Sequence, residues 1–167
     1  LHAITAPACA SADPIAMGVD SSAASGGGGV GVRMLPRGAA ALATGADVKV
    51  SGHCTPLPVQ PMALRSCINN LMDNTLRYAG QAQIELQDQR EQLLIRVIDH
   101  GPGIAADKRE AVFEPFFRLE GSRNRNSGGV GLGMTIAREA AERLGGELKL
   151  EESPGGGLTA VIRLPRI

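Results

Sequence analysis

Two stretches of alternating hydrophobicity, each folded back on itself by a polar or glycine-rich turn, constrain this chain more than any other feature. Ile84 and Leu86 alternate with polar residues, a short polar turn follows, and Leu93 to Ile98 is a denser apolar run. Leu148/Leu150 and Leu158/Ala160/Ile162/Leu164 repeat the pattern across Ser153-Pro154-Gly155-Gly156-Gly157. Period-two alternation closed by a tight turn is a β-hairpin, and the strands of a hairpin pair antiparallel. Ahead of the first hairpin, Leu64, Cys67/Ile68, Leu71/Met72 and Ala79 recur at helical spacing between Pro61 and Gly80, a natural start and stop. A second helix is expected over Ala105–Val112 and a third from about Leu132 to Leu144, ended by Gly145-Gly146. Val48-Lys49-Val50 reads as an edge strand. The order helix, hairpin, helices, hairpin argues against a doubly wound parallel fold. It predicts an α+β two-layer sandwich, a mixed and mostly antiparallel sheet with helices on one face.

Composition divides the 167 residues near position 45. Residues 1–45 are rich in Ala, Gly and Ser and include Ser25-Gly26-Gly27-Gly28-Gly29, so they read as a flexible arm or linker. Leu35 and Leu42 are placed to anchor a short helix around Ala39–Ala43. Residues 46–167 read as the packed domain. Seventeen basic side chains balance seventeen acidic ones, so bulk charge supplies no field for gathering nucleic acid or anionic lipid. One Tyr, three Phe and no Trp are too few for a single-strand stacking platform. No apolar run approaches the roughly 18 residues needed to span a membrane. Cys9, Cys54 and Cys67 form no CxxC pair, and His53-Cys54 lacks the second pair a metal site requires. Cys67 falls in the helical apolar pattern and reads as a small core residue. The first residue is Leu1 rather than Met, which reads as a fragment or processed product.

The chemistry-bearing residues cluster at element ends. Asn70, Asn74, Arg77 and Tyr78 project from neighbouring positions of the first helix. A solvated face explains most such stretches, yet exposed helix positions more often take Glu, Lys or Gln than Asn. Two neutral carboxamide oxygens suit a hard cation that already carries phosphates, and Arg77 can neutralise phosphate charge. Asp99-His100-Gly101-Pro102-Gly103-Ile104 follows the buried strand. An ionised carboxylate only accepts hydrogen bonds, so Asp99 selects a ligand edge bearing N–H, such as an exocyclic amine; a plain turn explains the same residues equally well. His100 reads as a loop histidine. Gly128-Gly129-Val130-Gly131-Leu132-Gly133 opens the third helix, where free N–H groups without a Cβ in the way form an anion cradle. No strand runs into it and no Lys-Ser/Thr follows, so neither a Rossmann turn nor a P-loop fits. In Phe113-Glu114-Pro115-Phe116-Phe117-Arg118, Phe113 and Phe116 read as a satellite core. The basic, glycine-flanked stretch from Arg118 to Ser127 reads as a lid over an anionic ligand.

Taken in order, Asn70-Leu71-Met72-Asp73-Asn74, Asp99-x-Gly101-x-Gly103, Phe113–Arg118 and Gly129-x-Gly131-x-Gly133 resemble the N box, first glycine box, F box and second glycine box of sensor histidine kinases. The resemblance covers about residues 48 to 167. It implies the Bergerat ATP-binding fold shared by gyrase, the heat-shock chaperones, histidine kinases and mismatch-repair proteins. By that likeness Asn74 coordinates Mg²⁺ and Asn70 supports it or the phosphates. Arg77 and Tyr78 line the nucleotide, Asp99 accepts from the adenine amino group, and Gly101 and Gly103 let the base approach. Gly129, Gly131 and Gly133 hold phosphates, while Arg118, with Arg123 or Arg125, steadies the γ-phosphate. Ile104, Phe117 and Leu132 complete the implied ATP-binding set, and Asn70, Asn74 and Arg118 form the implied catalytic group.

The ATP-hydrolysing branches carry a Glu where this chain has Asn70, and a carboxamide cannot act as a general base. That departure favours phosphoryl transfer to a protein histidine over hydrolysis. Thr75 and Met134 stand where Ala and Leu are commoner. His2 faintly echoes a phosphoacceptor box but lacks the acidic residue after it, and the Gly-rich sequence that follows cannot make two amphipathic helices. The implied partners are therefore ATP, the histidine-bearing dimerisation domain of the same kinase and, indirectly, a response regulator. No nucleic acid and no membrane contact by this segment are expected. The segment itself is expected to be monomeric, within a homodimeric, inner-membrane-anchored bacterial sensor whose catalytic domain is cytoplasmic. The alternative is a non-catalytic nucleotide-sensing or interaction module of the same fold.

Overall fold

A computed structural model of the protein describes residues 15–20, 31–36, 47–52, 54, 57, 59–119 and 131–166. Strand β3 (Asp47–Ser51) leads through helix α1 (Pro61–Ala79) to the hairpin β4 (Gln81–Asp88) and β5 (Gln92–Ile98). Helix α2 (Gly133–Arg143) then precedes the hairpin β6 (Glu147–Glu152) and β7 (Leu158–Pro165). The sheet order is β3-β4-β5-β7-β6. β3 and β4 run parallel with Val48 opposite Ala82, as the intervening helix permits, and every other neighbouring pair in this sheet is antiparallel. The expected mixed sheet is therefore present, with Val48–Val50 on its edge.

Helix α1 forms where the sequence places it. Pro61 occupies the first turn, where a missing N–H loses nothing, and Gly80 closes the helix by donating its N–H to Leu76 O at 3.0 Å. Leu64, Cys67, Ile68, Leu71, Met72 and Thr75 are buried, a continuous stripe at helical spacing. The stripe packs on Ile84, Ile95 and Ile162, which stand on the matching face of successive strands. Helix α2 contributes the small buried face Ala137, Ala140 and Ala141. Both helices thus cover one face of the sheet. The opposite face carries charge, with Glu147 paired to Lys149 at 3.0 Å and to Arg163 at 3.3 Å.

The secondary structure departs from the sequence reading in three places. The helix expected over Ala105–Val112 is two single 3-10 turns, Ala106–Lys108 and Ala111–Phe113. Only Val112 and Phe113 of the two turns are buried, so no apolar stripe stabilises a longer helix. Pro115 also holds Glu114 extended at ψ 139°, which ends the second turn. Within residues 1–45, β1 (Ile15–Asp20) and β2 (Gly31–Pro36) pair antiparallel as a separate two-stranded sheet, where no strand was expected. The short helix expected around Ala39–Ala43 lies outside the described residues, as does His53. Finally, α2 begins at Gly133 and ends at Arg143, one residue inside the expected limits at each end.

Cys67 is fully buried and Cys54 only partly, and burial pushes the Cys67 thiol up to about 12. Burial, helped by the Asp88 charge, raises the Cys54 thiol too, but it is only partly covered. Because the thiolate is the reactive species, a thiol reagent at pH 8 should label Cys54 slowly on the folded protein. Cys67 should be labelled only at the rate of unfolding, as peptide mapping by mass spectrometry would show. Equal labelling of the two in native buffer would contradict this packing.

Candidate nucleotide-binding site

A cavity of about 380 Å³ opens between α1, the end of β5, the segment after it and the start of α2. Its α1 wall presents Asn70, Asn74, Arg77 and Tyr78, the four residues that the helical spacing groups together. Asn70 Nδ2 donates to Ser66 O at 2.8 Å, which fixes the carboxamide and leaves its oxygen for other partners. That oxygen faces α2. A Cβ added to Gly133 would stand 3.5 Å from Asn70 Oδ1 and 3.6 Å from Asn74 Nδ2. The first residue of α2 therefore sits directly against both carboxamides. Among the described residues no side chain caps this helix N-terminus, so its first N–H groups and its positive dipole end look into the space beside the two asparagines.

At the other end lies Asp99, just past β5 and only 7% exposed. Its Oδ1 accepts from Gly101 N at 2.9 Å and from Leu158 N at 3.0 Å, and its own N–H donates to Leu158 O at 2.9 Å. Both hydrogen bonds to the carboxylate fall on one oxygen, so the side chain is locked with its second oxygen unengaged among the described residues. The clamp depends on Gly157, at φ +104°, where an added Cβ would meet Asp99 O at 2.2 Å. Only glycine lets the β6–β7 turn press this close.

The wall between the two ends is the expected F box. Phe113 is buried, with the Arg138 guanidinium 3.8 Å above its ring centroid, and Thr135 Oγ1 donates to Phe113 O at 2.8 Å. Arg138 also grips Glu110 in a two-point pair at 2.6 and 3.0 Å, so α2 holds the 3-10 turns against itself. Phe116 corrects the satellite-core reading: it is 69% exposed. Its backbone takes φ 64°, and its N–H donates to Gly131 O at 3.0 Å. Gly131, at φ +78°, leaves no room for a Cβ, which would lie 3.0 Å from the Phe116 backbone. This contact ties the F box to the second glycine box. Phe117 and Arg118 line the cavity from there.

Of the residues singled out in the sequence, Ile104, Gly103, Gly131, Leu132 and Gly133 also line the cavity. Gly101 acts through its N–H on Asp99. Arg123, Arg125 and Gly129 lie outside the described residues. The lining residues that the sequence reading did not assign to the site include Thr75, Leu150, Leu158 and Ala160. Leu150 and Ala160 sit opposite each other in register, on the same sheet face as Leu148 and Ile162. Their alternation was the available signal. No group of three or more His, Cys, Asp or Glu among the described residues could hold a metal by itself. Two carboxamide oxygens fit a hard cation that brings phosphate oxygens with it, and nothing more.

Residues 59–167 match the family described as histidine kinase-, DNA gyrase B- and HSP90-like ATPases. The chain belongs to that family. It is 41% identical over 126 residues to the sensor histidine kinase GtrS of Pseudomonas aeruginosa, covering 75% of this chain and 26% of the relative. With the sensor histidine kinase CpxA of Escherichia coli K12 it shares 40% identity over 111 residues, 66% of this chain and 24% of the relative. The chain thus spans about a quarter of the length of these relatives. Among solved structures, the mycobacterial sensor histidine kinase MprB superposes with a TM-score of 0.61 at 25% identity, covering 74% of this chain and 83% of that one. The ATP-binding domain of PrrB from Mycobacterium tuberculosis gives 0.59 at 28%, with 73% and 81% covered. Family, relatives and fold all match the reading from the four motifs.

Two outcomes follow from this geometry. Replacing Gly157 with Ala should destabilise the fold by more than about 1 kcal/mol in urea denaturation, since the positive φ and the carbonyl contact both oppose a Cβ. The Arg138 hydrogen bonds hold the Glu110 carboxyl below the usual carboxylate range. A depressed folded-state value means the pair stabilises the protein fully above the ordinary Glu range and loses that contribution as pH falls through the lower value. Side-chain NMR should therefore place the Glu110 midpoint below that of a model peptide, and Arg138→Ala should return it to the ordinary range.

Proposed function

We propose that this domain binds ATP together with Mg²⁺ and donates the γ-phosphoryl group to a histidine of a sensor kinase dimerisation domain. The observation that carries this reading is the opposition of two unlike ends in one cavity. Asp99 is a locked, buried acceptor at one end, and Asn70 and Asn74 face a helix N-terminus that no described side chain caps at the other. Asp99 accepts from the adenine amino group, and the apolar lining from Ile104, Leu150 and Ala160 sandwiches the base. The α2 N–H groups hold phosphate oxygens, Arg118 and Arg77 offset their charge, and Asn74 with Asn70 offers oxygens to the cation. Asn74 and Asn70 would hold Mg²⁺ beside the phosphates, where the ion would offset the charge that develops on them.

Asn70 cannot remove a proton from water, so the position that carries Glu in the hydrolysing branches supplies no general base here. A neutral imidazole nitrogen needs none. It attacks the γ-phosphorus, the bond to the β–γ bridging oxygen breaks, and ADP leaves with that oxygen. We place the domain on the cytoplasmic side of a membrane-anchored, homodimeric sensor, with a response regulator downstream. Among the described residues no helix is long and apolar enough to cross a membrane.

Calorimetry with a non-hydrolysable ATP analogue, with and without Mg²⁺, tests the reading. Saturable binding should be weakened at least about tenfold by Asp99→Asn, as expected when a charged acceptor is lost. Asn74→Ala should abolish the dependence on Mg²⁺. With ATP itself, no steady release of ADP should occur in the absence of a histidine substrate. Sustained ADP release would point to a hydrolase, and no binding at millimolar ligand would point to an interaction module.

A further inference from the structure

Four buried polar residues occur among the described side chains: Thr75, Asp99, Ser153 and Thr159. Three have partners. Asp99 is clamped as described, and Ser153 and Thr159 share a hydrogen bond at 2.9 Å. Thr75 is 8% exposed, lines the cavity, and makes no side-chain hydrogen bond to any described residue. A buried hydroxyl on a helix has an easy fallback, the carbonyl four residues back. Asn70 uses that carbonyl, at Ser66, and Thr75 does not use the one at Leu71. The residue is buried, but its oxygen is not sealed off: it forgoes its local acceptor and opens on the cavity, where a ligand or a water can meet it.

Its place along α1 says which part of a ligand it would meet. Ala79 lies one turn further on the same helix face, and a Cβ on Gly101 would touch the Ala79 Cβ at 3.0 Å while standing 3.4 Å from Asp99 Oδ1. Thr75 is thus one helical turn from the Asp99–Gly101 corner and far along α1 from Arg65 and the helix start. We infer that Thr75 is a specificity-determining residue whose hydroxyl, directly or through one water, donates a hydrogen bond to a ring nitrogen flanking the amino group that Asp99 accepts. This inference rests on the nucleotide reading above. A carboxylate can serve the amino group but not the neighbouring ring nitrogen, which carries only a lone pair. A hydroxyl can donate to it. Asp99 and Thr75 together then read a donor beside an acceptor, the pattern of a 6-aminopurine, and a 6-oxo base would set its carbonyl against the carboxylate.

A double-mutant cycle between protein and ligand tests this. ADP, 1-deaza-ADP and 7-deaza-ADP are titrated calorimetrically into the wild type, Thr75→Val and Thr75→Ser, with melting temperatures confirming that each variant is folded. Thr75→Val keeps the shape and removes the hydroxyl. It should weaken ADP about threefold to tenfold, the worth of one neutral hydrogen bond. It should leave unchanged the binding of at least one deaza analogue, which the wild type already binds more weakly by a similar factor. Thr75→Ser should bind ADP like the wild type. Unchanged ADP binding by the Val variant, or an equal loss for all three ligands, would overturn the inference and leave the nucleotide reading intact. If the wild type bound none of the three, the nucleotide reading itself would fall, and this inference with it.

Discussion

The clamp on Asp99 is the constraint on which the site depends. A carboxylate buried to this degree is destabilising unless hydrogen bonds satisfy it, and two backbone amides do so from different parts of the chain. One comes from the next loop and the other from β7, almost sixty residues later. For the second amide to arrive, β7 must lie beside β5, and the turn before β7 must fit against Asp99 O without a side chain at Gly157. Sheet order, turn chemistry and the position of one functional oxygen are therefore a single problem with a single solution. The apolar stripe of α1 then sets the opposite wall at a fixed distance, because Leu71 and Met72 are packed among the same strands that carry Asp99.

The other end of the cavity is assembled from weaker and more local ties. Gly131 O accepts from Phe116, Thr135 bonds the carbonyl of Phe113, and Arg138 bridges Glu110 and the Phe113 ring. All of them join α2 or the residues just before it to the segment from Glu110 to Phe116, and the ion pair among them is exposed on its Glu110 side. Surface pairs of this kind add little to stability singly. Their importance is geometric, since they orient the α2 N-terminus towards Asn70 and Asn74. The left-handed Phe116 backbone is the visible mark of that constraint, because a non-glycine residue takes such a conformation only when its surroundings require it.

Much of this was legible in the sequence, for reasons that differ by residue. The limits of α1 could be read because Pro61 and Gly80 act through backbone chemistry that few other residues share. Asn74, Asp99 and the glycines could be read because the chemistry of a phosphate and a base edge restricts residue type at each place. The segment 105–112 could not be read correctly, since Ala, Lys, Arg and Glu there have good helix propensity but almost no buried face to act on. Strands β1 and β2 were hidden by the composition of residues 1–45, where glycine and small residues dilute any alternation. The Leu158 amide was illegible for a more basic reason: a backbone N–H leaves no signature in the side chain that bears it. Thr75 was visible only as a departure from the commoner Ala, and its burial without a partner needed the packed structure.

The placement of β7 has a consequence for how the domain comes into being. It is the last strand of the five in sequence, yet it lies between β5 and β6 and not at an edge. A chain emerging from the ribosome can form α1 and the β4–β5 hairpin early, but β5 then waits with one side unpaired until Leu158–Pro165 has been made. The sheet is closed only when that strand pairs with β5, a long-range step that is slow by nature. Until then Asp99 lacks the Leu158 half of its clamp, so the base end of the cavity and the sheet are completed by the same event.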